Sequence, residues 1–395
     1  MSAAVVSDAL EQDHVESHLH PEPTYDLAAH PAPSGREEIW RFTPLKRLRG
    51  LLEDTAPGGR LEQKIELPDG VTLSEIPLEE AVALGGTAPF DRLGALAAKN
   101  AGTAWLLDIA SEADVVDPVR IQLHGTSVEE AVAGRVVVRI GNHARAVVLI
   151  EHSGSTTYNA FTSVLVGDGA QLDLVHINDW ADDAVHTEQI NVRVGRDATL
   201  RQFEFTLGGD LVRTSTNVDY AGPGGSAELF GLYFADAGQH FEHRLFVDHN
   251  APKTKSNVVY KGALQGAKAH TVWIGNVLIR KVAEGIETYE ENRNLVLTEG
   301  CQADSVPNLE IETGEIEGAG HASAVGRFDD NQLFYLRSRG ISEAEARKLV
   351  VRGFFDDLIR RVTVPEVAAK LSAQVEEELQ RHVLAELDEA DRGQA

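Results

Sequence analysis

A single cysteine, Cys301, in 395 residues excludes any disulfide within the chain and every metal site built from several thiolates of one polypeptide. Any metal held here uses imidazole and carboxylate or borrows ligands from another chain. Basic residues are scarce too: 36 Lys and Arg stand against 62 Asp and Glu, a formal net charge of −26. Phosphate backbones and anionic lipid surfaces need clustered Lys and Arg, so neither nucleic acid nor a membrane is an expected partner. No run approaches the roughly 20 apolar residues that cross a bilayer, and the opening MSAAVVSDALEQDH lacks the basic start and apolar stretch of an export signal. Together with the lone cysteine, this points to the cytoplasm. There is no GxxxxGK(S/T), GxSxG or HExxH, so no nucleotide phosphate is cradled by this chain itself.

What is present is a globular composition, 43% hydrophobic and 25% charged, arranged in distinct regimes. Residues 1–36, rich in His, Glu, Pro and Ser, read as a disordered tail in which His14, His18 and His20 could chelate a metal adventitiously. Residues 37–117 read as a small mixed α/β cap, with FDRLGALAAKNAGTAWLLDI predicting a helix, a turn at Gly102 and a strand. From 118 to 330 the apolar clusters are short and alternating, as in RVVVRIG, QLDLVHI, HRLFVDH and HTVWIGNVLI, with Gly, Asp or Asn between them. No amphipathic helix interrupts them, which excludes an alternating βαβ protein.

The pattern (Ile/Val)-Gly-x-x-Ala recurs at Gly141, Gly167 and Gly195, 26 and 28 residues apart, and continues loosely at Gly222. A period in the twenties with two or three strands per repeat predicts stacked coils. The expected fold is therefore mainly β, a right-handed parallel β-helix flanked by the cap and by a C-terminal helical domain over 331–395. An antiparallel sandwich is the competing architecture. In the helical part, Ser342 and Glu345 make a capping box, Gly353 is placed to end a helix, and Pro365 sits at the first turn of another. That last helix carries an apolar stripe at Val367, Leu371, Val375, Leu379, Val383 and Leu387. Terminal helices on a solenoid cover its open ends or receive a partner.

Few residues carry chemistry. The adjacent pairs Asp182-Asp183, Asp329-Asp330 and Asp356-Asp357 read as turn or solvated residues, because neighbours on a strand point to opposite faces. His321, among small residues at the start of the strand HASAVGRF, is either a hydrogen-bonded core histidine or a metal ligand. Cys301 begins as a small buried apolar group. Arg327, Arg337, Arg339 and Arg347 face Asp329, Asp330, Glu343 and Glu345 at a salt-linked junction between strands and helices.

The stretches NRNLVLTEGCQADSVPNLEIE and GHASAVGRFDDNQLFYLRSRGISEAEARKLVVRGFFDDLI resemble the C-terminal signature of the SufB/SufD family of iron–sulfur cluster assembly proteins. Looser agreement runs upstream through WRFTPLKRL, FDRLGALAAKNAG and DPVRIQL; the length and lack of cysteine look most like SufD. The resemblance implies a parallel β-helix that pairs with a SufB-like β-helix as a heterodimer, and helical ends that dock a SufC-like ABC ATPase. Arg337, Arg339, Phe354 and Phe355 would then contact a partner. A transient iron–sulfur cluster would form at the SufB-facing interface and pass to recipient proteins, with this chain a non-catalytic subunit. His321 matches the family's interface histidine, whereas Ala319 occupies its cysteine position, and Cys301 falls where the family reserves no thiolate. Two other expectations stand beside it: a homodimeric iron-binding or storage protein, and a β-helix polysaccharide lyase.

Overall fold

A computed structural model describes residues 22–327 and 330–392, so His14, His18, His20 and Asp329 lie outside the described residues. Two 22-residue strands, β4 (Val119–Ile140) and β5 (Arg145–Val166), start the solenoid; each was expected as two short strands. Both bend midway, where the register slips between Ser127 and Ala131 and Gly154 takes a φ of +78°. The first half of β5 pairs with β6 (Gln171–Trp180) and the second with β7 (Val185–Val194). Strands then alternate between two parallel sheets. One sheet continues with β8 (Thr199–Thr206), β10 (Ser226–Ala235), β12 (Lys255–Leu264), β14 (Glu287–Val296) and β16 (Gly318–Arg327). The other runs through β9 (Leu211–Tyr220), β11 (His240–His249), β13 (His270–Ile279) and β15 (Gln302–Ile311). This is a parallel β-solenoid, not a sandwich of antiparallel sheets.

The glycine repeat marks one corner of the coil. Gly167 N donates to Ile140 O and Gly195 N to Val166 O, both at 2.8 Å. A Cβ on Gly167 or Gly195 would stand 2.7–2.8 Å from the backbone of the glycine corner one coil earlier, closer than real Cβ atoms come. Ala144, Ala170 and Ala198, fully buried, begin the inner column that Ala146, Leu172 and Leu200 continue. The rhythm fades after Gly222 because the coil lengthens. Ser226 pairs with Lys255 and Lys255 with Glu287, steps of 29 and 32 residues.

Strands that are apolar on both faces need cover on both. On one side the N-terminal segment supplies it. Strand β3 (Thr103–Ile109) stacks in parallel on β4, β2 (Val71–Pro77) and β1 (Glu62–Glu66) add antiparallel edges, and helix α1 (Leu78–Ala83) follows β2. Helix α2 (Arg92–Asn100), capped by the Asp91 carboxylate, lies over β5 and β7. Trp40, Leu48, Leu51 and Leu93 pack on Val185 and Leu211. Buried Arg213 ties the segment down, bonding Asp91 at 2.9 Å, Glu242 at 3.3 Å and stacking over Trp40. The expected free tail is already held from its described start: Thr24 N donates to Pro89 O, Tyr25 meets Phe161 edge-on, and His30 is buried.

The opposite flank is covered by the C-terminal helices α4 (Glu343–Ile359) and α5 (Pro365–Arg392), with α3 (Asp330–Ser338) against α4. Val351, Phe355, Leu358, Val367, Leu371, Val375 and Leu379 form one core with outward-facing Leu149, Val175, Phe203, Phe230 and Phe234 of the sheet. Arg120 bonds Glu366, Lys370 bonds Glu151 at 2.7 Å, and Lys261 donates to Phe354 O at 2.8 Å. Helices α4 and α5 thus lie along the side of the solenoid. Gly353 does not end α4, since Val351, Phe355, Leu358 and Ile359 continue one buried stripe whose packing outweighs the roughly 1 kcal/mol cost of a helical glycine. Ser342 does cap α4, its hydroxyl accepting from Glu345 N.

Candidate functional site

With its flanks covered, the solenoid leaves its last rung open. Among the described residues, strands β15 and β16 are each paired on one side only, and apolar Ile311 and Val325 are exposed there. Inward positions of β16 are set by its parallel register on β14: Ala319 on Thr288, His321 on Glu290, Ser323 on Asn292. Ser323 Oγ donates to Ser305 Oγ at 2.8 Å and closes the lumen across the two sheets. His321 therefore sits on the rim, its side chain 41% exposed. It is neither sealed inside the tube nor left on an unrelated surface.

Behind it lies Glu290, which the sequence reading missed. Its carboxyl is 2% exposed, its Oε1 stands 3.7 Å from His321 Nδ1, and that oxygen has no hydrogen-bond partner. Burial raises its pKa to about 8, so the group holds its proton at neutral pH. Space for it exists because residue 275 is glycine: a Cβ there would run into Glu290 Oε2 and the Trp273 ring. At 3.7 Å the carboxyl stands behind the imidazole without hydrogen-bonding it, near the place from which a carboxylate orients a metal-ligating histidine once ionised and drawn into contact. The far nitrogen, Nε2, belongs to a ring on the open rim.

The other expected residues are placed as follows. Cys301 lies at the turn into β15, on the sheet opposite β16, where its thiol donates to Gly266 O and meets Thr298 Oγ1. It is not brought beside His321. Ala319 packs against the core one inward position before His321. Of the four residues expected to meet a partner, Phe355 is wholly buried against the chain's own sheet and Phe354 is half-buried beside Lys261. The reason is the α4 stripe, which spends both rings on packing. Arg337 and Arg339 are exposed: Arg337 bonds Glu343 at 3.1 Å and Arg339 stacks over Tyr335. Arg347 also bonds Glu343, at 3.2 Å. The exposed apolar side chains of this region are Phe334, at 74%, with Tyr335 and Leu349.

The site is thus an imidazole on a last strand that is paired on one side only, at the end of a parallel solenoid flanked by its own terminal segments. Comparison with known proteins gives the family. The SUF system FeS cluster assembly SufBD core domain matches residues 123–354. The iron–sulfur cluster assembly SufBD family protein Rv1462 of Mycobacterium tuberculosis is 51% identical over 364 residues, covering 90% of this chain and 92% of the relative. ML0594 of Mycobacterium leprae, under the same family name, is 49% identical over 363 residues, covering 90% and 93%. The chain belongs to the SufBD family of iron–sulfur cluster assembly proteins. A second family member from M. leprae, ML0593, is 27% identical over 225 residues, which is 57% of this chain but only 26% of that longer relative.

Proposed function

We propose that this chain is the SufD-like, non-catalytic scaffold subunit of a SufBCD-type complex that builds iron–sulfur clusters and passes them to recipient proteins. The observation that carries this reading is His321 on the open last rung, backed by Glu290 and with no cysteine beside it. A cluster is held mainly by thiolates, so the sulfur ligands come from the subunit that pairs with this edge. The coexistence in M. leprae of one near relative and one longer, more distant SufBD relative fits two non-identical subunits. A single imidazole ligand facing thiolates across an interface leaves the cargo labile enough to be handed on.

The second surface is the helix pair α3–α4, where Phe334, Tyr335 and Leu349 are exposed beside Arg337 and Arg339. A SufC-like ATPase docked there supplies the nucleotide site that this chain lacks. Because α4 and α5 are bonded to the same sheet that ends in β16, movement of the docked subunits strains the open rung and exposes the cargo. Among the described residues no helix is long and apolar enough to cross a membrane, which fits assembly in the cytoplasm.

Co-expression with a SufB-like relative and a SufC-like ATPase tests the reading. The expected result is a complex of all three whose ATPase activity is absent from this chain alone, and which a His321→Ala variant joins without supporting cluster formation. Recovery of this chain only as a homodimer would overturn it.

A further inference from the structure

Far from the rim, the interior near the first coils holds a second group of histidines. His152 of β5, His176 of β6, and His186 and Glu188 of β7 point inward and are all buried. One ligand atom from each of His152, His186 and Glu188 falls within 4.8 Å of the others. Glu188 Oε1 accepts from Thr162 Oγ1 at 2.6 Å. Its Oε2 has no hydrogen-bond partner and lies 3.8 Å from His186 Nε2 and 3.7 Å from His176 Nδ1. His152 Nδ1, His176 Nε2 and His186 Nε2 are orphaned too. Unsatisfied atoms of His152, His186 and Glu188, three ligand-type side chains that come together in the buried interior, call for an occupant.

We propose that His152, His186 and Glu188 hold one divalent transition-metal ion of the Fe(II) or Zn(II) class inside the solenoid, at a site separate from His321. Two imidazoles and a carboxylate suit those ions; the lack of thiolate excludes a cluster, and the lack of more oxygens excludes Ca(II) and Mg(II). Ligand atoms about 2.1 Å from a tetrahedral ion stand about 3.4 Å apart, so the 3.8 Å pair needs only a small rotamer change. Burial lowers the pKa of His152 to about 3 and of His186 to about 4. Burial alone would raise that of Glu188, but its contacts with His176 and the other two imidazoles bring it down to about 2. The two imidazoles are thus neutral and the carboxylate ionised at neutral pH, the charge states that metal binding needs. A cleft of about 280 Å³ on the flank has His152 in its lining, together with Glu62, Glu151, Asp179, Lys64 and Lys370, and offers a route towards the site.

Trp180 controls the site. Its indole N–H donates to His186 Nδ1 at 3.1 Å, which places the His186 proton on Nε2, the nitrogen needed for the metal. Binding must release that hydrogen bond and shift the proton to Nδ1. The rings hold it in place: Tyr158 stacks on His186 and Trp180 on His152.

The test is a Co(II) titration of the full chain after chelator treatment, with His14, His18 and His20 changed to Gln to silence the N-terminal tail. One equivalent should bind with visible d–d bands. His186→Ala and Glu188→Gln should weaken binding at least tenfold, His321→Ala should leave it unchanged, and Trp180→Phe should tighten it several-fold. Binding that survives both ligand variants, or no uptake by the parent chain, overturns the proposal. Should the variants fold poorly, the melting temperature decides. Co(II) should raise it for the parent and not for His152→Gln, and no rise for the parent refutes the site. The readout needs no partner subunit, so its failure is independent of the rim reading.

Discussion

Replacing Glu290 by Gln should make the isolated chain more stable at neutral pH while impairing its work. Burial raises the Glu290 pKa from 4.5 to about 8. The folded chain therefore holds this proton more tightly than the unfolded one, so the group favours folding most below pH 4.5. Stability falls as pH rises from 4.5 to 8. Each pH unit across that window costs about 1.4 kcal/mol, so the ionisable group costs about 3 kcal/mol at pH 7 and under about 1 kcal/mol at pH 5. Glu290→Gln removes the proton linkage and keeps the shape. Urea unfolding at the two pH values should show the variant ahead by about 3 kcal/mol at pH 7, with the gap nearly closed at pH 5. A variant no more stable at pH 7, or a gap that does not change with pH, refutes the claim that this carboxyl is buried and protonated. In the complex the same variant should lower cluster loading, because an amide cannot ionise and so cannot become the charged partner of a metal-bound His321.

Other substitutions probe the supports of the site. Phe355→Ala, which empties a fully buried ring between α4 and the sheet, should cost about 3–5 kcal/mol in thermal or chemical unfolding; a loss under about 1 kcal/mol would mean the helices are not fixed to the flank. Gly167→Ala forces a Cβ against the preceding coil and should lower stability by about 2 kcal/mol or more, read by the urea midpoint. Phe334→Asp should leave the melting temperature within about 2 °C, since the ring is exposed, yet abolish capture of the ATPase in a pull-down. Normal capture would move the docking surface elsewhere.

The coil was legible because its corner is a steric requirement written as glycine and alanine at fixed spacing. Helix α2 and the cap at Ser342 were legible for similar local reasons. The site was harder. On β14 the inward positions are Thr288, Glu290, Asn292 and Asn294, so the usual rule that buried strand positions are apolar conceals the strand and the acid beside His321. The buried histidines near the first coils were invisible likewise, since parallel register over 26 to 28 residues, and not sequence proximity, brings them together. Phe354 and Phe355 were expected at a partner contact because a sequence cannot say that the chain's own sheet uses them first. His321 stood out from its small neighbours as either a core histidine or a ligand, and only the signature around it weighted the choice towards a ligand.

The most direct test of the account is nitrogen hyperfine spectroscopy on a reconstituted complex in which only this chain carries 15N-histidine and the bound cluster is reduced. The account predicts a 15N coupling to the cluster that disappears in His321→Ala. No 15N coupling, or one that persists in the variant, would contradict it.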